Sequence, residues 1–186
     1  MQLPNREELL IEEVYAPGES NDHIAQAVHS ILKYIDPSDL CGLRKIVLAQ
    51  ESILSKRERG IAPRRSRKTL RKHGKCGEYY AMSSNSPAWI RLVVDNIIPL
   101  QSRLFRLRCL MEIQLAMVLF HEIGHHVHTL KPKYCDSELF ANEYRDIKMK
   151  ALIHNKYWYL ILLIIPSQIF STITRRFSNM KISTGS

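Results

Sequence analysis

The stretch from Leu115 to His125 constrains the fold more than any other part of the chain. Leu115–Phe120 carries no charged residue and leads directly into His121-Glu122-Ile-Gly-His125. A helix that is apolar on all sides has to be buried, so we expect this stretch to form the centre of the fold. Residues four apart share one face of a helix, which allows His121 and His125 to present two imidazoles to one metal ion.

A third protein ligand is needed, because a catalytic zinc ion uses three protein ligands and keeps a fourth position open for water. Glu138 is the favoured candidate, since it opens a second predicted helix that a short loop can fold back against the first. Asn142, one helical turn further on, can hydrogen-bond the other ring nitrogen of a ligand histidine. Two alternatives remain: Glu138 as a first-turn carboxylate that complements the helix dipole, and Cys135 as the ligand.

The neighbours of the histidine pair have different expected roles. Glu122 lies beside His121, where its carboxylate can accept a proton from a metal-activated water. His126 follows His125 directly and therefore points about 100° away around the helix, off the metal-binding face. His128 is expected near the end of the helix, where a histidine complements the helix dipole.

The rest of the chain predicts a small α+β fold. Residues 5–15 favour a short first helix, and a second helix is expected to begin at Asn21 or Asp22. Strands are predicted at Leu43–Leu48, at Glu78–Met82 and at Trp89–Val94, and the last two are joined by a short turn, which predicts an antiparallel hairpin. The helix with the histidines is expected to start near Ser102 and end near Thr129, and the glutamate helix to start after Asp136 and end near Leu152.

Together these elements predict a small antiparallel or mixed sheet packed on an active-site helix and a following glutamate helix, with helical additions at both ends. We expect residues 1–156 to form one domain and residues 157–186 to form an apolar C-terminal segment with a polar tail.

The positive charge of the chain is concentrated in one segment. Lys56–Lys75 contains ten basic residues and one acidic residue, which accounts for the whole net charge of +9. A solvated loop is the plainer interpretation, and contact with a nucleic acid or another anionic surface is the functional one, because clustered cations displace counterions from phosphates. The segment has no aromatic side chain to stack on bases, which argues against sequence-specific reading of single strands.

Residues 157–174 contain no charged residue, which is close to the shortest length that spans a bilayer. Pro166 interrupts this segment, so a packed C-terminal helix is favoured over a short membrane span or a surface anchor. The N-terminus has no apolar signal region and the cysteines form no paired motif. We therefore expect a cytoplasmic protein, with membrane association through residues 157–174 as the alternative.

The two motifs His121-Glu122-Ile-Gly-His125 and Glu138-Leu-Phe-Ala-Asn142-Glu-Tyr144 resemble those of gluzincin-type zinc metallopeptidases, and are most similar to the ImmA/IrrE-like family. The resemblance runs from about Gly77 to Tyr144. It implies a minimal gluzincin core, with one zinc ion held by His121, His125 and Glu138. It also implies that Glu122 is the general base and that Gly124 is the small residue between the histidines.

The resulting hypothesis is a zinc-dependent endopeptidase. A peptide substrate would extend along an edge strand at Ala88–Asp95. Tyr144, His126 and Tyr80 are candidate donors to the oxyanion or to the substrate. The alternative hypothesis is a nucleic-acid or anionic-surface binding protein that uses residues 56–75, with a structural or vestigial metal site.

Overall fold

The computed structural model describes residues 9–16, 22–54, 75–84, 86–98, 108–132 and 136–159. These residues form an α+β fold with one mixed four-stranded sheet and four α-helices. The strands are β1 (Leu10–Val14), β2 (Leu43–Ala49), β3 (Gly77–Tyr80) and β4 (Ala88–Val93). The helices are α1 (Asp22–Leu32), α2 (Val94–Ile97), α3 (Arg108–Leu130) and α4 (Ser137–Lys156), and two short 3-10 turns lie at Pro37–Leu40 and Glu51–Ile53.

The strand order in the sheet is β1-β2-β4-β3. β2 lies parallel to both β1 and β4, whereas β3 lies antiparallel to β4. The predicted hairpin is therefore confirmed, with Tyr80 opposite Trp89 in register and a narrow turn closed between Ser83 and Ser86. β1 and β2 are parallel because α1 connects them as a crossover. The sheet is mixed because the hairpin adds β3 antiparallel to β4.

The first helix, predicted for residues 5–15, is wrong, because Leu10–Val14 form the strand β1. The acidic residues suggested a helix, but the local preference is overridden by pairing with β2 along the whole strand. Glu12 lies opposite Val47 and its carboxylate accepts a hydrogen bond of 2.8 Å from the ammonium group of Lys45, so this acid stabilises a strand pair.

The prediction that Ala88–Asp95 forms an edge strand is also wrong. β4 is hydrogen-bonded to β2 on one side and to β3 on the other, so it lies inside the sheet. β3 is the strand at the end of the described sheet, next to α3. A sequence pattern cannot reveal this order, because a buried β-branched strand reads the same whether its neighbours are local or distant.

The core lies between one face of the sheet and the helices α1 and α3. On that face Ile46, Leu48, Ile90 and Leu92 are fully buried. The apolar run predicted as the centre of the fold supplies Leu115, Ala116, Leu119 and Phe120, all of which have no exposed surface. Since α3 packs against both β3 and β4, the residues at the end of this run are placed beside the edge of the sheet.

The chain divides into two compact units, Met1–Met149 and Lys150–Ser186, and the division falls within α4. In the parts that the structure describes, no helix is both long and apolar enough to cross a membrane. The predicted features that lie outside the described residues include Ser102 as a helix cap, Cys135 as the alternative ligand, the basic segment apart from Lys75, and residues 160–174 of the apolar segment.

Candidate metal centre

The two histidines of α3 face the same side, as their spacing predicts. Both His121 and His125 are half-buried, and their Nε2 atoms lie 3.2 Å apart. The rings meet edge to face with their centroids 4.8 Å apart. Two imidazole nitrogens at this separation can share a proton or turn their lone pairs towards one cation.

A close crossing of α3 and α4 places the third ligand. A Cβ atom added at Gly124 would lie 2.7 Å from the Cα atom of Ala141 and 3.2 Å from its Cβ atom. The two helices can meet this closely only because the residues at the crossing are small. Gly124 lies between the histidines and Ala141 lies three residues after Glu138, so the crossing sets the first turn of α4 opposite the histidine pair.

Glu138 turns its carboxylate to the histidines. Its Oε2 atom lies 3.5 Å from Nε2 of His121, and its Oε1 atom lies 3.5 Å from Nε2 of His125. The helix terminus is capped by another residue, Asp136, whose Oδ1 atom accepts hydrogen bonds from the backbone amides of Glu138 and Leu139. The predicted capping signal at Asp136 is thus confirmed, and it leaves the Glu138 carboxylate to the side-chain cluster.

These three groups lie close enough together that they could hold one metal ion. Their ligand atoms lie within 4.8 Å of one another, and the closest pairs are separated by 3.2 and 3.5 Å. With metal–ligand bonds near 2.0–2.1 Å, two ligands of a tetrahedral zinc ion lie about 3.3 Å apart. The three residues therefore have both the donor chemistry and the spacing of a cluster that could hold a metal ion. Glu138 is exposed, which keeps the cluster open to solvent.

The other ring nitrogen of His121 points away from the cluster. Among the described residues this buried Nδ1 atom has no hydrogen-bond partner of good geometry. Burial, followed by the neighbouring His125, lowers the pKa of His121. Asn142 has a smaller, opposite effect, because it is close enough to accept a hydrogen bond from His121. Asn142 thus lies where the spacing predicts it, and a small side-chain movement would complete the hydrogen bond that orients a ligand histidine.

Glu122 lies at the junction of α3 and the edge strand β3. Only 8% of its surface is exposed, and its carboxylate accepts a hydrogen bond from the backbone amide of Tyr79. Gly77 lies so close that an added Cβ atom would be 2.7 Å from Oε1 of Glu122. Burial, followed by the charge of Glu138, raises the pKa of Glu122 to about 7. Such a carboxylate accepts a proton more readily than an exposed glutamate does.

His126 points into the core, away from the metal-binding face. Its Nε2 atom lies 3.0 Å from the carbonyl oxygen of Cys41, so it must carry the proton, and Nδ1 accepts a hydrogen bond of 3.1 Å from the Tyr79 hydroxyl. The side chain is 2% exposed. His126 therefore ties α3 to β3 and to the turn before β2, and both its nitrogens are occupied. His128 lies near the end of α3 and packs against the ring of Phe140.

We expect His126→Gln to lower the free energy of unfolding and to flatten its dependence on pH. Burial lowers the pKa of His126, so below about pH 6.5 the unfolded chain takes up a proton that the folded chain resists. The stability that wild type has at pH 7.5 should therefore decrease as the pH falls through this value. At pH 7.5 the weakened contacts should cost about 1–3 kcal/mol.

Urea denaturation from pH 5 to pH 7.5, with a chelator present to remove metal-linked protonation, measures both effects. His23→Gln, on the exposed surface of α1, is the matched control. If the free energy of unfolding depended on pH equally in wild type and His126→Gln, His126 would not be the group that causes this pH dependence.

The two tyrosine candidates for oxyanion binding have other partners. The Tyr144 hydroxyl donates a hydrogen bond of 2.9 Å to Oδ2 of Asp39, and burial together with this carboxylate raises the pKa of Tyr144. The Tyr80 hydroxyl donates to Glu78 at 2.8 Å, and its ring stacks on Trp89. The structure thus gives these hydroxyls and His126 structural contacts, and their proposed role in catalysis stays a prediction.

A cavity of about 330 Å³ opens beside the candidate metal-binding cluster of His121, His125 and Glu138, towards the N-terminal part of α3. It is lined by Lys75, Cys76, Gly77, Met117, Val118, His121, Glu122 and Arg145. Arg145 was not among the residues expected from the sequence. A signal was available, because Glu138, Asn142 and Arg145 follow the spacing i, i+4, i+7 of one helix face.

No protein-family model, curated protein or solved structure gives a significant match to this chain.

Proposed function

We propose that the protein is a zinc-dependent metallopeptidase of the gluzincin type. The observation that carries the proposal is the cluster of His121, His125 and Glu138, in which the two Nε2 atoms lie 3.2 Å apart and each lies 3.5 Å from a different carboxylate oxygen of Glu138. Two imidazoles and a carboxylate are ligands that zinc uses, and the buried Glu122 lines the same cavity as His121. The fold supports the proposal, because the helix with the histidines packs on a mixed sheet and is crossed by the glutamate helix.

A zinc ion at this centre would polarise a substrate carbonyl and lower the pKa of water to about 7. Glu122 takes the proton from the attacking water, and it then gives that proton to the nitrogen that leaves as the peptide C–N bond breaks. The burial of Glu122 and its hydrogen bond to the amide of Tyr79 keep the carboxylate in position for both transfers. Asn142 would orient His121 once a small side-chain movement completes its hydrogen bond to Nδ1.

The substrate is proposed to bind in an extended form along β3 instead of β4. β3 is at the edge of the described sheet, and its first residue Gly77 contacts the side chain of Glu122. A peptide that pairs with this strand would pass directly beside the proposed base. Glu78 and Arg91, joined by an ion pair of 2.7 Å, brace the strand against β4 from the other side of the sheet.

The alternative function, binding of a nucleic acid or another anionic surface, depends on residues 56–75. The structure describes only Lys75 from this segment, where its ammonium group pairs with Glu78 at 2.9 Å. Binding to duplex DNA that weakens steeply with salt, and that disappears when the segment is neutralised, would favour this function.

Metal analysis of purified Glu138→Ala tests the centre itself. We expect about one zinc ion per chain in wild type and loss of at least tenfold in zinc affinity in Glu138→Ala, because two imidazoles alone do not complete a site. Glu143→Ala on the same helix is the matched control, since Glu143 is exposed and outside the cluster. Wild-type zinc affinity in Glu138→Ala would contradict the ligand assignment.

A further inference from the structure

We propose that the cavity beside the metal-binding cluster binds a carboxylate of the substrate, with Arg145 as the group that recognises it. This inference rests on the proposed peptidase function and adds a substrate preference to it. The shared chemistry has two possible sources: an acidic side chain next to the scissile bond, or the C-terminal carboxylate of a short peptide.

Arg145 lies close to the proposed catalytic residues. Glu138, Asn142 and Arg145 lie on one face of α4, so the face that carries the proposed metal ligand also carries a cationic residue that lines the cavity. His121 and Glu122 line the same cavity from α3. A group bound by Arg145 would therefore lie next to the atoms that carry out the reaction.

The present partner of Arg145 is a weak competitor. The Nε and Nη2 atoms of Arg145 both contact Oδ1 of Asp146, at 2.9 and 2.8 Å. The side chain of Asp146 is 60% exposed, and an ion pair exposed to this extent adds little stability. A substrate carboxylate that binds the guanidinium in a bidentate manner can replace it.

The remaining lining suits an acidic side chain. Met117 and Val118 provide an apolar wall for aliphatic carbon atoms, and Gly77 allows the side chains of Val118 and Glu122 to pack closely against β3. Lys75 adds a second cation at the rim, although Glu78 already pairs with it. Glu122 is the single anion among the lining residues, so cations outnumber it there.

The cleavage test uses zinc-loaded protein and a random peptide library whose cleavage sites are read by mass spectrometry. We expect Glu or Asp to be enriched next to the scissile bond, and kcat/KM for a Glu peptide to exceed that for its Gln counterpart by about tenfold. Arg145→Met should abolish this ratio mainly through KM, and Arg145→Glu should favour Lys instead. Lys150→Met, an exposed cation on α4 outside the cavity lining, is the control.

The library is prepared with free and with amidated C-termini, which separates the two sources of the carboxylate. Enrichment of Glu or Asp in both forms identifies a side chain, whereas cleavage restricted to free C-termini near the scissile bond identifies the terminal carboxylate. Either outcome supports a carboxylate site if Arg145→Met abolishes the preference for that carboxylate. Cleavage with no dependence on a carboxylate or on Arg145 overturns the inference and leaves the peptidase function standing.

A binding test requires no hydrolysis. Zinc-loaded Glu122→Gln is titrated with N-acetyl-glutamate amide and N-acetyl-glutamine amide, and with N-acetyl-alanine for the terminal carboxylate. We expect the acids to bind at least fivefold more tightly than the amide, and Arg145→Met in the same background to remove the difference with zinc content unchanged. Binding of this kind without cleavage of any peptide would retain the carboxylate site and refute the peptidase function. Equal binding of acid and amide would overturn the inference.

Discussion

Glu122→Gln should lower kcat for peptide hydrolysis by about 10²–10⁴-fold and leave zinc bound at the wild-type level. Gln has nearly the same shape as Glu but cannot accept the proton of the attacking water. The side chain is 8% exposed, so bulk solvent has little access to that position. Steady-state kinetics on an identified peptide, together with metal analysis of the same preparation, measure the two quantities separately.

The control for this substitution is Glu143→Gln, which removes a carboxylate from the exposed surface of α4. Its kcat should equal that of wild type. If Glu122→Gln retained wild-type kcat with zinc bound, Glu122 would not be the base. If it lost zinc as well, its carboxylate would be contributing to metal affinity, contrary to the geometry of the His121, His125 and Glu138 cluster.

Gly124→Ala should weaken zinc binding by at least tenfold, because it forces α3 and α4 apart where they cross. The new Cβ atom would lie 2.7 Å from the Cα atom of Ala141 and 3.1 Å from its carbonyl oxygen, and backbone atoms cannot turn aside as a flexible side chain can. Overpacking of this kind costs about 1–3 kcal/mol, whereas replacing glycine by alanine inside a helix gains about 1 kcal/mol. Global stability should therefore change little or fall modestly, while the distance from Glu138 to the histidines increases.

Zinc titration against a competing chelator and urea denaturation would separate these two effects. Adding Ala141→Gly to Gly124→Ala should restore zinc binding only in part, since it removes the Cβ contact at 3.2 Å and leaves both backbone contacts. Arg108→Ala, at the exposed start of α3, is the control. Wild-type zinc affinity in Gly124→Ala would show that the crossing distance does not set the position of Glu138.

The parts of the centre that depend on local spacing could be predicted from the sequence. His121 and His125 share a face in any helix, and a run without charges places that helix in the core. Glu138 required one further assumption, that a short connection folds α4 back onto α3, and the cap at Asp136 and the small residues Gly124 and Ala141 supported it. The fold class followed from the same elements.

The features that depend on distant pairing could not be predicted. Leu10–Val14 forms a strand only because β2 lies beside it, and its own acidic residues favoured a helix. The inner position of β4 depends on β1 and β2, which are far away along the chain. Likewise, nothing in the spacing around Tyr144 indicates that its hydroxyl donates a hydrogen bond to Asp39.

The anchoring of α4 has a consequence for the order in which metal and protein come together. Tyr144 binds Asp39, Lys148 lies 3.7 Å from the same carboxylate, and Ala141 packs against Gly124, and none of these contacts involves a metal ligand. These contacts therefore hold Glu138 beside the histidines without a metal ion. They also offset the conformational entropy that is lost when the three side chains are brought together. Under the proposed function, zinc would bind to a site that the fold has already assembled, in contrast to zinc fingers, in which the ion has to fold the chain around itself.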